Sequence, residues 1–392
     1  MKILVISQNY WPDNWRINVI CEGLVSRGHS VTVLTGMPAS SDDFLPQEAH
    51  NEVSIVRVHD RPRKKSKFSL FRHYSSFVKK ANKAIETLAD DFDLVLVNQL
   101  SPVMQIVPGA RYAKKHGKKL LVYCLDLWPE SLCAGGVQDR GMTSLIYRHY
   151  LKKSRALYGS ADRILVTSKP YLDYLAKVDQ VPLEKMAYLP QFAEPLFSKE
   201  IVSSRKEGIP EFAFAGNVGQ VQDVETIIRA ASILSKESLV HFTIVGDGSD
   251  LKSVKSLAAK LGVSNVTFAG RLPLQEMPSL YASCSALLLT LDSSRLSSLV
   301  VPGKLQAYLA SGKPVICACN GAASDIISAS GCGFAVSSGD AKDLAATILR
   351  FVALPINEQE KMGDNGRHFY ETHFSEESFF KTLEQEMINL TH

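Results

Sequence analysis

Residues 2–36, KILVISQNYWPDNWRINVICEGLVSRGHSVTVLTG, decide the fold class. The apolar segment at 2–7 predicts a strand, and apolar residues recurring at helical spacing predict a helix over 15–27. Gly28 suits the end of that helix, and HSVTVLTG predicts the next strand. The stretch therefore forms a β-α-β unit, which places both strands in a parallel sheet.

Similar units recur along the whole chain. Further strands are predicted at 53–58, 93–97, 119–124 and 163–167, and then at 212–216, 241–246, 265–270, 285–290 and 313–319. Val, Ile and Leu dominate these strands, and helical segments alternate with them, which indicates parallel sheets covered on both faces. The predicted fold class is α/β, with two tandem Rossmann-like, doubly wound parallel-sheet domains facing a cleft.

The domain bounds follow from a proline-rich break in the pattern at 178–210. We predict an N-terminal domain over 1–195 and a C-terminal domain over 205–374. The last apolar-periodic segment, 375–392, is predicted to be a helix that packs back on the first domain. Ligands of open parallel sheets bind beyond the carboxyl ends of the strands, so function is sought in the loops there.

Composition favours a soluble globular protein of the cytoplasm. Among 392 residues, 45% are hydrophobic and 21% charged, and the net charge of +4 excludes a generally polybasic protein. The start of the chain lacks the features of a signal peptide, and no apolar window is long enough to span a membrane. Seven scattered cysteines favour reduced thiols over a disulfide framework.

Two loops of the first domain carry candidate acceptor-binding residues. QNYWPDNWR (8–16) has no glycine, which argues against a dinucleotide, and it places Asp13, Asn14 and Arg16 at a helix start. In CLDLWPES (124–131), Asp126 follows a buried strand beside Trp128 and is a candidate to orient an acceptor hydroxyl or accept its proton. The alternatives are that Arg16 is a solvated arginine at a helix start and that Asp126 only caps the following helix.

The second domain offers glycine-containing loops after three strands: AGNVGQVQD (215–223), VGDGSD (245–250) and GRLP (270–273). Backbone amides at a helix start bind anions, although tight turns explain such glycines equally well. The candidate donor-binding residues are Gly216, Asn217, Gly219, Gln222, Gly246, Gly248, Gly270, Arg271 and Leu272.

The most informative loop is RLSSLVVPGKLQAYLASGKPVI (295–316). Pro302, Gly303, Lys304 and Leu305 open a helix, and the helix dipole opposes a lysine in the first turn. Lys304 is therefore a candidate to bind a phosphate that the same helix start attracts, with Arg295 as a second cation. The alternative is an exposed lysine.

Taken together, these motifs resemble the retaining glycosyltransferases of family four, which have the two-domain GT-B fold. The resemblance rests on NYWP, RGHSVTVLTG, DLWPES, FAGNVG, IVGDG, FAGRLP and VPGKLQAYLASGKPVI in one order over the whole chain. DLWPES and VPGKL are similar to the branch that builds O-antigen, capsule and colanic acid, and within that branch the chain is similar to L-fucosamine transferases.

The resemblance implies a UDP- or GDP-sugar donor on the second domain, retention of configuration and no metal or other cofactor. It also implies an undecaprenyl-diphosphate-linked saccharide acceptor at the inner face of the cytoplasmic membrane, and no nucleic acid partner. This chain departs from the broad family where it has Asn217 and Gln222 in place of cations, and Leu299 and Ala307 in place of glutamates. The diphosphate would then depend on Lys304, Arg295 and backbone amides near 216–219 and 303–305, with Asp126 orienting the acceptor.

Residues 61–83, RPRKKSKFSLFRHYSSFVKKANK, contain nine Lys or Arg and no acid, with interleaved aromatics. Such a segment is attracted to an anionic bilayer by about 1 kcal/mol per cation. The candidate membrane contacts are Lys64, Lys65, Lys67, Phe68, Phe71 and Arg72. One alternative is a solvated basic loop and helix. Another is nucleic-acid binding, against which the helical spacing of the aromatics and the fold favour lipid.

Two other functions fit the same domain pattern. A nucleotide-sugar epimerase would need an acid/base pair beside the sugar, and an epimer formed from the donor alone would identify it. A non-enzymatic two-lobed ligand-binding protein would bind tightly without turnover. The sequence fixes neither the base, the sugar, the linkage nor the oligomeric state.

Overall fold

The computed structural model describes residues 1–38, 45–60, 67–135, 137, 141–199, 208–235 and 240–391. The chain divides into two compact units, one formed by Met1–Leu189 with Phe380–His392 and the other by Pro190–Phe379. Each unit contains one sheet with helices between its strands.

The sheet of the first unit has eight strands within the described residues. They are β1 (Lys2–Ile6), β2 (Ser30–Thr35), β3 (Gln47–His50), β4 (Val53–Arg57), β5 (Leu94–Gln99), β6 (Lys119–Cys124), β7 (Arg163–Val166) and β8 (Met186–Tyr188). Their order is β3-β4-β2-β1-β5-β6-β7-β8, and β3 is antiparallel to β4. The other pairs are parallel, so the carboxyl ends of β1, β5 and β6 lie side by side.

The helices of the first unit cover this sheet. They are α1 (Arg16–Ser26), α2 (Lys67–Ala84), α3 (Ile106–His116), α4 (Ser144–Gly159) and α5 (Lys169–Tyr174). Ile17, Ile20 and Leu24 of α1 are buried, as their helical spacing predicts, whereas Val25 is only half-buried. Gly117 ends α3 in the left-handed conformation, at φ +64°, which a glycine adopts without steric cost.

The described sheet of the second unit has six parallel strands in the order β11-β10-β9-β12-β13-β14. They are β9 (Glu211–Ala215), β10 (His241–Val245), β11 (Val266–Gly270), β12 (Ala286–Thr290), β13 (Val315–Ala318) and β14 (Gly333–Val336). The helices are α6 (Val224–Leu234), α7 (Leu251–Lys260), α8 (Met277–Ser283), α9 (Arg295–Leu299), α10 (Gly303–Ala310), α11 (Ala322–Ser330), α12 (Ala341–Val352) and α13 (Ile356–His373). Strand order reverses direction at β9, so the loops after β9 and β12 flank a topological switch point.

The final helix, α14 (Glu376–Thr391), belongs to the first unit from Phe380 onward. The ring of Phe380 packs against Gly23 of α1 so closely that a Cβ on Gly23 would lie 2.1 Å from Phe380 Cζ. Arg163 at the start of β7 donates to Glu386 over 2.8 Å. The end of the chain is therefore part of the core of the first unit.

All seven cysteines are free thiols, and Cys133 alone among them is exposed. None of the helices in the described part of the chain combines the length and apolar character that crossing a bilayer requires.

Candidate functional site

The side chain of Lys304, the second residue of α10, lies against the first glycine after β9. Its Nζ atom is 3.7 Å from the centre of the Phe214 ring, and a Cβ on Gly216 would lie 2.8 Å from the same atom. Nζ is buried and has no hydrogen-bond partner among the described residues. Burial lowers the pKa of Lys304 to about 7. A buried amine without a partner is costly, which makes this atom a candidate ligand for an anion.

Glycines let the loops after β9, β10 and β11 pack backbone against backbone. The Gly246 N–H donates to the Gly270 carbonyl over 2.7 Å. A Cβ on Gly246 would lie 1.8 Å from the Gly216 carbonyl oxygen, and one on Gly248 would lie 2.2 Å from that of Val218. The structure thus brings together glycines that the sequence places in three separate loops.

The backbone amides at this point are partly used within the protein. Gly216 and Val218 donate their N–H groups to the carbonyls of Val245 and Asp247, each over 2.9 Å. The Leu305 N–H donates to Pro302, also over 2.9 Å. Of the amides near 216–219 and 303–305, these three already have acceptors within the protein, which narrows the set that can meet a ligand.

Asn217 and Gln222 form a hydrogen-bonded pair across the loop after β9. The Asn217 Nδ2 atom donates to Gln222 Oε1 over 2.9 Å, and a Cβ on Gly219 would lie 2.7 Å from that Nδ2. A neutral amide pair therefore occupies the two positions at which the resemblance implies cations.

Arg271 and Leu272 follow β11 at the same edge of the sheet. The Arg271 Nε atom lies 3.8 Å from Asp247 Oδ2, and both side chains are exposed. An exposed pair at this distance contributes little to stability, so the guanidinium can change partner at small cost. Leu272 is half-buried.

Arg295 is exposed at the first residue of α9, whose start is capped by the Ser294 side chain. Leu299, at the end of that helix, is half-buried, and Ala307 is buried within α10. Lys304 is thus held against the loop after β9, whereas Arg295 stands on a separate helix in an exposed position.

Tyr308 of α10 holds the lysine helix to the sheet, a role that its apolar helical spacing alone does not reveal. Its hydroxyl accepts from the Ala215 N–H over 3.0 Å and lies 3.3 Å from the Ala215 carbonyl. Tyr308 lies one turn beyond Lys304, and its hydrogen bond holds α10 close to the end of β9. Phe214 was missed in the same way, because an alternating FAFAG strand shows only that the residue is buried.

In the first unit, Asp126 lies in the loop after β6. The Ser101 N–H donates to its Oδ2 over 2.9 Å, and Trp128 Nε1 donates to the Ser101 hydroxyl over 3.0 Å. Burial raises the pKa of Asp126, and the hydrogen bonds from Ser101 partly offset that effect. The loops after β5 and β6 therefore hold this carboxylate in a defined position, while the Trp128 ring is buried.

The loop after β1 holds the remaining acceptor candidates. Asp13 is half-buried and its carbonyl accepts from the Asn18 side chain over 2.8 Å, whereas Asn14 is exposed. Tyr123 lies on β6. Burial raises the pKa of Tyr123, and the neighbouring Arg16 guanidinium opposes that shift. Arg16 thus approaches β6, the strand that Asp126 follows.

The proposed membrane contacts are described only in part. Lys64 and Lys65 lie outside the described residues, and for Lys67, Phe68 and Phe71 the backbone of α2 is described but the side chains are not. Arg72 is exposed. Phe77, one of the interleaved aromatics of this segment, is buried in the core with no exposed surface, so it does not add to the candidate membrane contacts.

No cluster of three or more His, Cys, Asp or Glu side chains within the described ranges is arranged to hold a metal ion. The groups of the second unit that can meet an anion are instead the Lys304 amine and the N–H groups near the end of β9 and the start of α10.

Solved structures define the fold class. Sucrose-phosphate synthase from Thermosynechococcus elongatus superposes with a TM-score of 0.80 at 18% identity, covering 99% of this chain and 98% of that one. Anabaena HepE in complex with UDP and glucose has a TM-score of 0.71 at 15% identity, with 100% of both chains covered. The fold is GT-B, and the predicted class of two tandem Rossmann-like parallel-sheet domains is confirmed.

The family follows from the sequence of each half. Residues 16–194 match the model described as Glycosyltransferase Family 4, and residues 198–369 match Glycosyl transferases group 1. The chain therefore belongs to the glycosyltransferases that these models describe. WbjE of Pseudomonas aeruginosa, named as a glycosyltransferase, is 29% identical over 72% of this chain and 71% of its own. WcaI of Escherichia coli K12, named for colanic acid biosynthesis, is 23% identical over 80% and 82%.

Proposed function

We propose that this glycosyltransferase moves a sugar from a UDP- or GDP-sugar to a lipid-linked saccharide, with retention of configuration and without a metal ion. The second unit binds the donor and the first unit binds the acceptor. The observation that carries the proposal is the buried amine of Lys304, which has no hydrogen-bond partner within the described residues.

The donor diphosphate supplies the partner that this amine lacks. An anion beside Lys304 would favour its charged form and offset the burial that lowers its pKa to about 7. The first turn of α10 presents N–H groups at the same place, and its dipole favours negative charge. HepE was solved with UDP and glucose, which supports a nucleotide sugar as the ligand.

Bond cleavage leaves a nucleoside diphosphate with growing negative charge. Lys304 and the adjacent amides stabilise that charge, and in a site of low dielectric each such donor contributes about 3–4 kcal/mol. The acceptor hydroxyl attacks on the face from which the diphosphate departs, and a departing phosphate oxygen takes its proton. Asp126 then orients the hydroxyl, which is consistent with a carboxylate fixed by Ser101.

The acceptor side of the proposal places the protein in the cytoplasm, on the inner surface of the cytoplasmic membrane. The basic character of 61–83 supports it, as does the name of WcaI, a relative assigned to colanic acid biosynthesis. We therefore place this chain in the synthesis of a bacterial surface polysaccharide such as an O-antigen. N-acetyl-L-fucosamine is the first donor sugar to test, because the chain resembles L-fucosamine transferases within the branch that DLWPES and VPGKL indicate.

The test measures thermal unfolding of the full chain with UDP, GDP and their sugars, in the presence of EDTA. A ligand at 100 times its Kd raises the free energy of unfolding by about 2.7 kcal/mol. We expect one nucleoside diphosphate to stabilise Lys304→Met by at least about 1.4 kcal/mol less than the wild type, which is the effect of a tenfold weaker affinity. Lys342→Met, a change at an exposed lysine of α12, should respond like the wild type. Transfer that requires a divalent ion, or equal binding by Lys304→Met, would overturn the proposal.

A further inference from the structure

A cavity of about 620 Å³ lies in the first unit among α2, the start of α3, the loop after β6 and α4. Sites for small molecules typically enclose about 300–1,000 Å³, so the space is large enough for a ligand. None of the functions assigned above to Asp126 or Lys304 uses it.

The wall of the cavity is largely apolar. The Trp128 and Tyr150 rings meet edge to face at 5.7 Å between centroids and form one side of it. Trp128 is only 6% exposed, so the indole is already positioned. The other apolar lining includes Val78, Pro102, Met104 and Leu132. Such a wall suits a hydrocarbon chain.

The rim of the same cavity is cationic. Lys79, Lys83, Arg111 and Lys153 line it, and Glu86 is the one acid among the described lining residues. Glu86 is already shared by Arg111 at 3.3 Å and Lys115 at 3.0 Å.

Lys79 and Lys83 are exposed one turn apart on α2, and within the described chain neither has an ion-pair partner. Like charges at this spacing repel, and a bound anion would relieve the repulsion. The rim is thus suited to a group with more than one negative charge.

The inner end of the cavity meets the loop that holds Asp126. Pro102 follows Ser101, which donates to the Asp126 carboxylate over 2.9 Å. Trp128 lines the cavity and donates to the Ser101 hydroxyl over 3.0 Å. The apolar wall of the cavity therefore adjoins the loop that holds the carboxylate that we propose orients the acceptor.

We propose that this cavity binds the polyprenyl diphosphate of the acceptor, with the isoprenoid chain against Val78, Trp128 and Tyr150 and the diphosphate at Lys79 and Lys83. The inference rests on the proposed function in assuming a lipid-linked acceptor. It names the residues of the first unit that would distinguish such an acceptor from a free saccharide.

The experiment titrates farnesyl diphosphate, inorganic pyrophosphate and farnesol into the full chain without donor. We expect farnesyl diphosphate to bind at least about tenfold more tightly than either fragment, because apolar wall and cationic rim act on one molecule. The affinity of the double variant Lys79→Ala/Lys83→Ala for farnesyl diphosphate should be about tenfold lower. Val78→Trp, which fills the cavity, should also bind farnesyl diphosphate weakly. Lys152→Ala is the matched control, since Lys152 is exposed on α4 but does not line the cavity.

Equal binding of farnesyl diphosphate and pyrophosphate would overturn the inference in favour of a simple phosphate site. If the protein binds vesicles containing phosphatidylglycerol but does not bind farnesyl diphosphate in solution, the inference is overturned in favour of a membrane surface contact. The Lys79→Ala/Lys83→Ala variant changes only exposed side chains, so it keeps the test valid even if Val78→Trp does not fold. UDP binding measured in parallel separates the two proposals: if UDP binds and farnesyl diphosphate does not, only the cavity assignment fails. If farnesyl diphosphate binds as expected and neither UDP nor GDP binds, the donor proposal fails.

Discussion

The amine of Lys304 stands over the ring of Phe214, 3.7 Å from its centre. The face of an aromatic ring attracts a cation, which offsets part of the cost of removing the amine from water. The ring cannot donate or accept a conventional hydrogen bond with full strength, so the amine keeps its capacity for a charged ligand. Stability and ligand binding therefore make opposite demands on this residue.

Replacing Lys304 by Met should separate those two demands. The thioether fills similar space without a buried amine, so we expect the free energy of unfolding of the unliganded protein to rise by about 1 kcal/mol. Affinity for the nucleoside diphosphate should fall by about tenfold or more, because a charge-assisted contact is lost. Thermal unfolding and calorimetric titration measure the two effects. Unchanged affinity together with lower stability would mean that the lysine is structural.

Binding of the nucleoside diphosphate should weaken as pH rises above 7. The folded-state pKa of Lys304 is about 7, below its ordinary value of 10.5, because of burial. The ligand favours the charged amine, so above pH 7 binding takes up a proton and affinity falls with pH. In the unliganded protein the sign is opposite: between pH 7 and 10.5 the unfolded chain binds more protons, so this residue makes stability rise with pH.

The measurement is a series of titrations from pH 6 to pH 9, repeated in buffers of different ionisation enthalpy to count protons. Lys304→Met is the control and should show no proton uptake from this group. A wild-type affinity that does not change over this range would contradict the assignment.

Asp126→Asn should impair transfer without impairing donor binding. The asparagine oxygen can still accept the Ser101 N–H now bound over 2.9 Å, so the loop should keep its shape. Loss of a charged hydrogen bond to the acceptor costs about 1.5–3 kcal/mol, which corresponds to a decrease in kcat/KM for the acceptor of about ten- to a hundredfold. Asp173→Asn, at an exposed position of α5, is the control. A parallel fall in affinity for the nucleoside diphosphate would argue against a role confined to the acceptor.

Gly23→Ala should destabilise the first unit. The added methyl would lie 2.1 Å from Cζ of Phe380, whose ring is fully buried and has no space into which to retreat. We expect a loss of about 1–3 kcal/mol in the free energy of unfolding. Gly159→Ala at the end of α4 meets no atom within 4 Å and should be neutral or slightly stabilising. Equal melting temperatures for the two variants would show that the helix contact is not required.

The long apolar strands could be predicted because burial on both faces gives them a continuous signal. β1, β5 and β12 are found within a residue or two of their expected bounds. β3 and β8 were not predicted, since QEAH and MAY are too short and too mixed in polarity to differ from loops. β14 was missed for a similar reason: only four residues, GFAV, form it.

The site was predictable only where one loop contains its own signal. A lysine in the first turn of a helix conflicts with the helix dipole, and that conflict pointed to Lys304. Its contact with Phe214 and the hydrogen bond of Tyr308 to Ala215 join segments far apart in sequence, and no local pattern encodes such partners. The cavity beside Trp128 depends on three helices and could not be predicted for the same reason.

The return of α14 to the first unit has a consequence for synthesis. During translation, Phe380 cannot cover the surface of α1 around Gly23 until the entire second unit has left the ribosome. The second unit is contiguous in sequence and can complete its core beforehand, which reverses the usual N-terminal-first order of nascent domains. The half of the enzyme that is made first thus completes its own core only after the half that is made second.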